Sequence, residues 1–122
     1  MPKAPSDLSV FAANAEHVAD VLRALANERR LMILCKLVEW GEATVGTLVE
    51  AVGLSQSALS QHLAKMREEG IVAFRRESQT LWYRIADPRT EMLLGHLQQL
   101  YCPPEVSAQK RKTKPINKRE RS

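Results

Sequence analysis

The 122-residue sequence predicts a mainly α-helical domain with one β-hairpin. Apolar residues recur at helical spacing over most of the chain, and only between Val72 and Ile85 does the period change to the alternation of strands. The punctuation agrees. Asn27, Ser55 and Asp87-Pro88 stand where helices start, and Gly41, Gly70 and Pro103-Pro104 where they stop.

Residues 1–8 carry Pro2 and Pro5 and are expected to form a flexible arm. From Ser9, the residues Val10, Phe11, Ala13, Val18, Val21, Leu22 and Leu25 trace a first helix. Asn27 suits an N-cap, with Glu28 in the first turn where the helix dipole favours an acid. The second helix then runs to about Glu39 on a stripe of Leu31, Leu34, Cys35 and Val38. A short third helix spans roughly Thr44 to Val52, and Gly53-Leu54 make a tight turn. Ser55 caps a fourth helix that runs from Gln56 to about Glu69. Leu59, Leu63 and Met66 face one way along it, whereas Gln56, Ser57, Ser60, Gln61 and Lys65 face the other. Val72–Glu77 and Leu81–Ile85 form the hairpin, turning at Ser78-Gln79-Thr80. A last helix starts at Asp87-Pro88 with an apolar band of Met92, Leu93, His96, Leu97, Leu100 and Tyr101.

The body, residues 9–102, is thus one domain in the order α-α-α-α-β-β-α, followed by a basic tail over 103–122 expected to be disordered. The net charge of +4 divides unevenly. Residues 109–122 hold seven Lys or Arg against Glu120 alone, so the preceding part is slightly acidic. A basic total therefore does not by itself argue for nucleic acid. No apolar run approaches the length of a bilayer span, and the first residues lack the pattern of a secretory signal. The expected location is the cytoplasm. There Cys35 and Cys102, 67 positions apart, are either inert thiols or a redox pair rather than a structural disulfide.

A short helix, a Gly-containing turn and a second helix opening with small polar residues is the grammar of a helix-turn-helix. Gln56, Ser57, Ser60 and Gln61 offer donors and acceptors to base edges, Lys65 suits a phosphate, and Arg75, Arg76 and Gln79 decorate the hairpin. His62, beside Leu63, is either a reader of DNA or half packed. A polar helix face taken alone is more often simply solvated; the ordered turn and the basic hairpin make the difference.

Leu25–Leu34, Leu54–Val72 and Arg75-Arg76 followed by Trp82–Ile85 resemble the second helix, recognition helix and wing of ArsR-type winged helix-turn-helix repressors. The resemblance spans about residues 10–102, and the wing turn departs from it, with Ser78-Gln79 where the family often has Gly. It implies a repressor of double-stranded operator DNA with an imperfect inverted repeat. Excess apolar surface on the first and last helices points to a homodimer formed through them.

The usual metal sites of the family are absent from the sequence. The segment Glu42–Leu48 has no Cys-x-Cys, and the last helix holds only His96. No metal or other cofactor is expected. The placement of Cys35 in the second helix and Cys102 at the end of the last resembles the reactive-sulfur and redox sensors of the family, the BigR-like group. That resemblance implies a dithiol cross-linked by persulfide or by oxidation, with loss of operator affinity. The alternatives are a metal-responsive repressor that uses the cysteines as ligands and a constitutive DNA-binding protein. An enzyme is disfavoured, because no Cys-x-x-Cys, phosphate loop or nucleophile–base motif appears.

Overall fold

The computed structural model describes residues 8–102, so the basic tail and all of the N-terminal arm except Leu8 lie outside the described residues. Five helices and three short strands follow in chain order: α1 Leu8–Leu25, α2 Glu28–Trp40, β1 Ala43–Thr44, α3 Val45–Val52, α4 Gln56–Glu68, β2 Val72–Glu77, β3 Thr80–Ile85 and α5 Pro88–Tyr101. The architecture is a winged helix-turn-helix, with α3 and α4 as the helix pair and β2–β3 as the wing.

The helix starts are those the caps dictate. The Asn27 side chain accepts from the backbone N–H groups of Arg29 and Arg30, and the Ser55 hydroxyl accepts from Ala58. Asp87 caps α5 through Arg89, with Pro88 in its first turn. Gly53 ends α3 in the left-handed region (φ 74°), and its N–H donates to the Val49 carbonyl; this sharp exit turns the chain into α4.

Ile33, Leu34, Leu37, Leu48, Leu59, Leu63, Met66 and Leu94 are fully buried and form the centre of the core. Two helix faces differ from the sequence expectation. In α2 the buried residues are Ile33, Leu34 and Leu37, while Leu31, Cys35 and Val38 lie half-buried at the flank. The helix packs against α3 and β3 as well as α5, so its buried arc is centred between two overlapping apolar stripes. In α5 the inward residues are Thr90 and Leu94; Met92, His96, Leu100 and Tyr101 point outward.

The sheet has three strands rather than two, in the order β1-β3-β2 and antiparallel throughout. Ala43 pairs with Tyr83 and Thr44 with Trp82. Glu77 pairs with Thr80, so the turn is the two residues Ser78 and Gln79. Ser78 is the one non-glycine residue with positive φ (58°) among the described residues. The wing thus demands at Ser78 the conformation that glycine adopts without strain.

Helix α1 is an outlier in packing. Of its 18 residues only Ala24 and Leu25 are buried. Leu8, Val10, Phe11 and Leu22 are exposed on it, as are Met92, Leu100 and Tyr101 on α5.

Candidate nucleic-acid interface and thiol pair

Helix α4 separates its two faces cleanly. Leu59, Leu63 and Met66 are buried, whereas Gln56, Ser57, Ser60, Gln61 and Lys65 are all exposed. The inward side chains hold the helix on the core, and the outward ones present amides, hydroxyls and an ammonium to solvent. Its far end is tied down by Arg30, whose Nη1 donates to the Ala24 carbonyl (3.1 Å) and to Glu69 (3.3 Å). His62 is half-buried. Its pKa is lowered below the ordinary histidine value, first by burial and then by the guanidinium charges of Arg30 and Arg29.

On the wing, Arg76 and Gln79 are exposed. Arg75 is engaged with its own chain: its Nε and Nη2 donate to the two carboxylate oxygens of Glu42 (3.2 and 2.7 Å), and its Nη1 donates to Glu77 (3.2 Å). The Arg75 hydrogen bonds hold the Glu42 carboxyl below its ordinary pKa.

The two cysteines are free thiols, Cys35 half-buried and Cys102 exposed. Gln98 links them. Its side-chain amide donates to the Cys35 carbonyl (3.2 Å), and its own carbonyl accepts from the Cys102 N–H (2.7 Å). Burial is the main cause that raises the Cys35 pKa, opposed by a hydrogen bond from Gln98 and assisted by the nearby Cys102 and Glu39. No cluster of three His, Cys, Asp or Glu suited to a metal occurs among the described residues. No described helix is long and apolar enough to cross a membrane.

Residues 27–73 match the family described as bacterial regulatory protein, arsR family. The transcriptional activator HlyU of Vibrio cholerae is 43% identical over 81% of this chain and 91% of its own. The chain belongs to the ArsR family. The biofilm growth-associated repressor of Xylella fastidiosa is 39% identical over 77% of this ArsR-family chain and 82% of its own. The crystal structure of BigR from Xylella fastidiosa superimposes with a TM-score of 0.72 at 36% identity, covering 80% of this chain and 98% of that one. A solution structure described as a homodimeric winged helix-turn-helix DNA-binding domain from Mycobacterium bovis has a TM-score of 0.65 at 36% identity, covering 80% and 88%. This ArsR-family chain is therefore a DNA-binding transcriptional regulator and not an enzyme.

Sequence reasoning missed the tertiary partners that position the interface. Glu42 precedes β1 and lies 33 residues from Arg75, while Glu69 lies 39 residues from Arg30. No local pattern signals pairs at such separations. Gln98 was equally silent, since a polar residue beside Leu97 reads as solvent-facing until α2 is packed against it.

Proposed function

We propose that this ArsR-family regulator is a homodimeric repressor that holds its operator while Cys35 and Cys102 are reduced and releases it when they are joined. The observation that supports the reading is the Gln98 contact: its side chain bonds the Cys35 carbonyl of α2, and Cys102 follows one helical turn later at the end of α5. The likeness to a protein named as a biofilm growth-associated repressor supports repression as the mode.

Gln56, Ser57, Ser60 and Gln61 read base edges in the major groove, with His62 seating the helix and Lys65 on a phosphate. Arg76 and Gln79 approach the neighbouring backbone or minor groove. The exposed apolar residues of α1 and α5 meet a second copy, so two recognition helices face an imperfect inverted repeat about one turn apart. The seven basic residues of 109–122 add sequence-independent attraction for phosphate. Such a protein works in the cytoplasm, beside its operator, and needs no metal or cofactor.

The inducer is a low-molecular-weight persulfide. Exposed Cys102 takes the outer sulfur of the persulfide and releases the parent thiol. Cys35 then attacks the Cys102 sulfur that carries the new atom, giving a disulfide and expelling hydrogen sulfide. The persulfide is the two-electron oxidant, and both thiol protons leave on the products. A second persulfide inserts a further sulfur and leaves as thiol. Burial raises the Cys35 pKa, which disfavours it as the first nucleophile and supports a resolving role.

Cys35→Ser and Cys102→Ser test the reading in an operator-retardation assay. Each reduced variant is expected to bind like the wild type and to stay bound after a persulfide donor is added. A well-folded Cys102→Ser protein that releases DNA like the wild type refutes the dithiol mechanism.

A further inference from the structure

The two wing arginines stand on opposite faces of the sheet. Arg75 pairs in register with Trp82 and Arg76 with Leu81. Since Thr44 pairs with Trp82, alternation puts Glu42, Thr44, Trp82, Arg84 and Arg75 on one face. The other face holds Phe74, Tyr83 and Arg76. Phe74 packs on the Tyr83 ring (5.4 Å between centroids) and lies under the guanidinium of Arg67, from the end of the recognition helix, at 5.2 Å. Arg76 therefore leaves the hairpin on the side of α4, exposed and without an ion pair among the described residues.

Arg75 leaves on the far side, and all three of its nitrogens already donate to carboxylates. Its guanidinium crosses β3 over the Trp82 ring at 5.5 Å before it meets Glu42. The span matters because β2 is the strand farthest from β1, and β1 pairs only with Trp82 and Tyr83. Beyond that short ladder the outer half of the hairpin has no third strand to steady it. A bidentate fork from Arg75, level with Trp82, to the residue preceding β1 ties the two edge strands together across the full width of the sheet and anchors the hairpin where its unsupported half begins.

We infer that Arg75 is a positioning residue rather than a phosphate ligand: with Glu42 it braces the wing against the α2–α3 connection and fixes the angle at which Arg76 reaches DNA. The inference rests on the DNA-binding role of the wing and is independent of the thiol switch.

The test measures operator affinity of the full chain at several salt concentrations for Glu42→Gln, Arg75→Lys and Arg76→Ala. A lysine supplies a charge for phosphate but cannot form the planar fork, so the brace and phosphate readings separate at this variant. Glu42→Gln separates them by sign, because it frees Arg75 for DNA while it removes the brace. Glu42→Gln and Arg75→Lys are each expected to weaken binding about threefold to tenfold, as residues that do not touch the ligand do, with the log–log salt slope unchanged. Arg76→Ala is expected to reduce that slope by roughly 2 per dimer, because each protomer then neutralises one phosphate fewer. Thermal unfolding and light scattering establish that each variant is folded and dimeric. Tighter binding with a steeper slope for Glu42→Gln, or wild-type binding by either Glu42→Gln or Arg75→Lys, overturns the inference.

Discussion

Ser55→Ala removes one hydroxyl and reports on the recognition helix directly. The Ser55 Oγ accepts from the Ala58 N–H at 3.1 Å, and this is the side-chain cap of α4. Loss of such a cap costs about 1 kcal/mol, which in a domain of this size lowers Tm by about 4–8 °C. The cost falls on the first turn, where Gln56, Ser57 and Ser60 face solvent. If DNA orders that turn again, binding must supply the missing free energy in each protomer. At about 1 kcal/mol per protomer, a dimer loses at most roughly 30-fold in operator affinity, since 1.4 kcal/mol is a factor of ten. Fluorescence anisotropy with a labelled operator measures this. Two companions isolate the cause. Asn27→Ala removes the equivalent cap of α2 and is expected to lower Tm with little effect on DNA. Ser55→Gly keeps most of the capping, because glycine is a tolerable N-cap, and is expected to recover most of the affinity. A Ser55→Ala protein that loses stability but binds operator like the wild type refutes the premise that DNA must order the first turn of α4 again. A Ser55→Gly protein as weak as Ser55→Ala shows instead that the hydroxyl itself touches DNA.

Gln61→Ala is expected to weaken operator binding more than binding to random DNA, by about 1–3 kcal/mol of discrimination for each bidentate base pairing removed; equal weakening on both DNAs contradicts base reading. His62 has a folded pKa below its ordinary value of 6.5. The unfolded chain therefore takes up the proton first as pH falls, and the His62 contribution to stability, full above 6.5, is lost through the folded pKa. Urea unfolding of wild type and His62→Asn across this window should show the shallower pH dependence in the variant; identical profiles contradict the packing described for His62. Phe11, 56% exposed on α1, is expected to be covered by the second protomer. Phe11→Asp should then give monomers by light scattering and weak operator binding, and a persistent dimer would place the interface elsewhere.

The recognition helix was legible because its signals are local. A cap at Ser55, a left-handed Gly53 before it and a clean separation of apolar from polar residues all lie within a few turns. The faces of α2 and α5 were less legible, because apolar residues occupy more than one stripe on each and tertiary packing decides which is buried. In α5 the residues Met92, Leu100 and Tyr101 look like core by spacing yet lie on the surface of the single chain. The sequence pattern reports that a face is apolar and does not report which molecule covers it. Strand β1 is only two residues long and has no period to detect. The Glu42–Arg75 fork and the Gln98 bridge join segments brought together only by the fold. The cysteines were plain in the sequence, and so was their difference: Cys35 stands on the apolar stripe of α2 and Cys102 at a helix end before Pro103-Pro104, in keeping with half-buried Cys35 and exposed Cys102.

Joining Cys35 to Cys102 within one chain should lower operator affinity. A titration of wild-type protein with a persulfide donor, followed in parallel by intact mass after alkylation and by operator anisotropy, tests it most directly. The cross-linked, non-alkylated species should be lighter by two hydrogens, with or without added whole sulfur atoms between the cysteines. Its fraction should track the loss of binding, with affinity reduced at least tenfold, which corresponds to a coupling of about 1.4 kcal/mol. Full conversion to that species with operator affinity unchanged would rule out the dithiol switch.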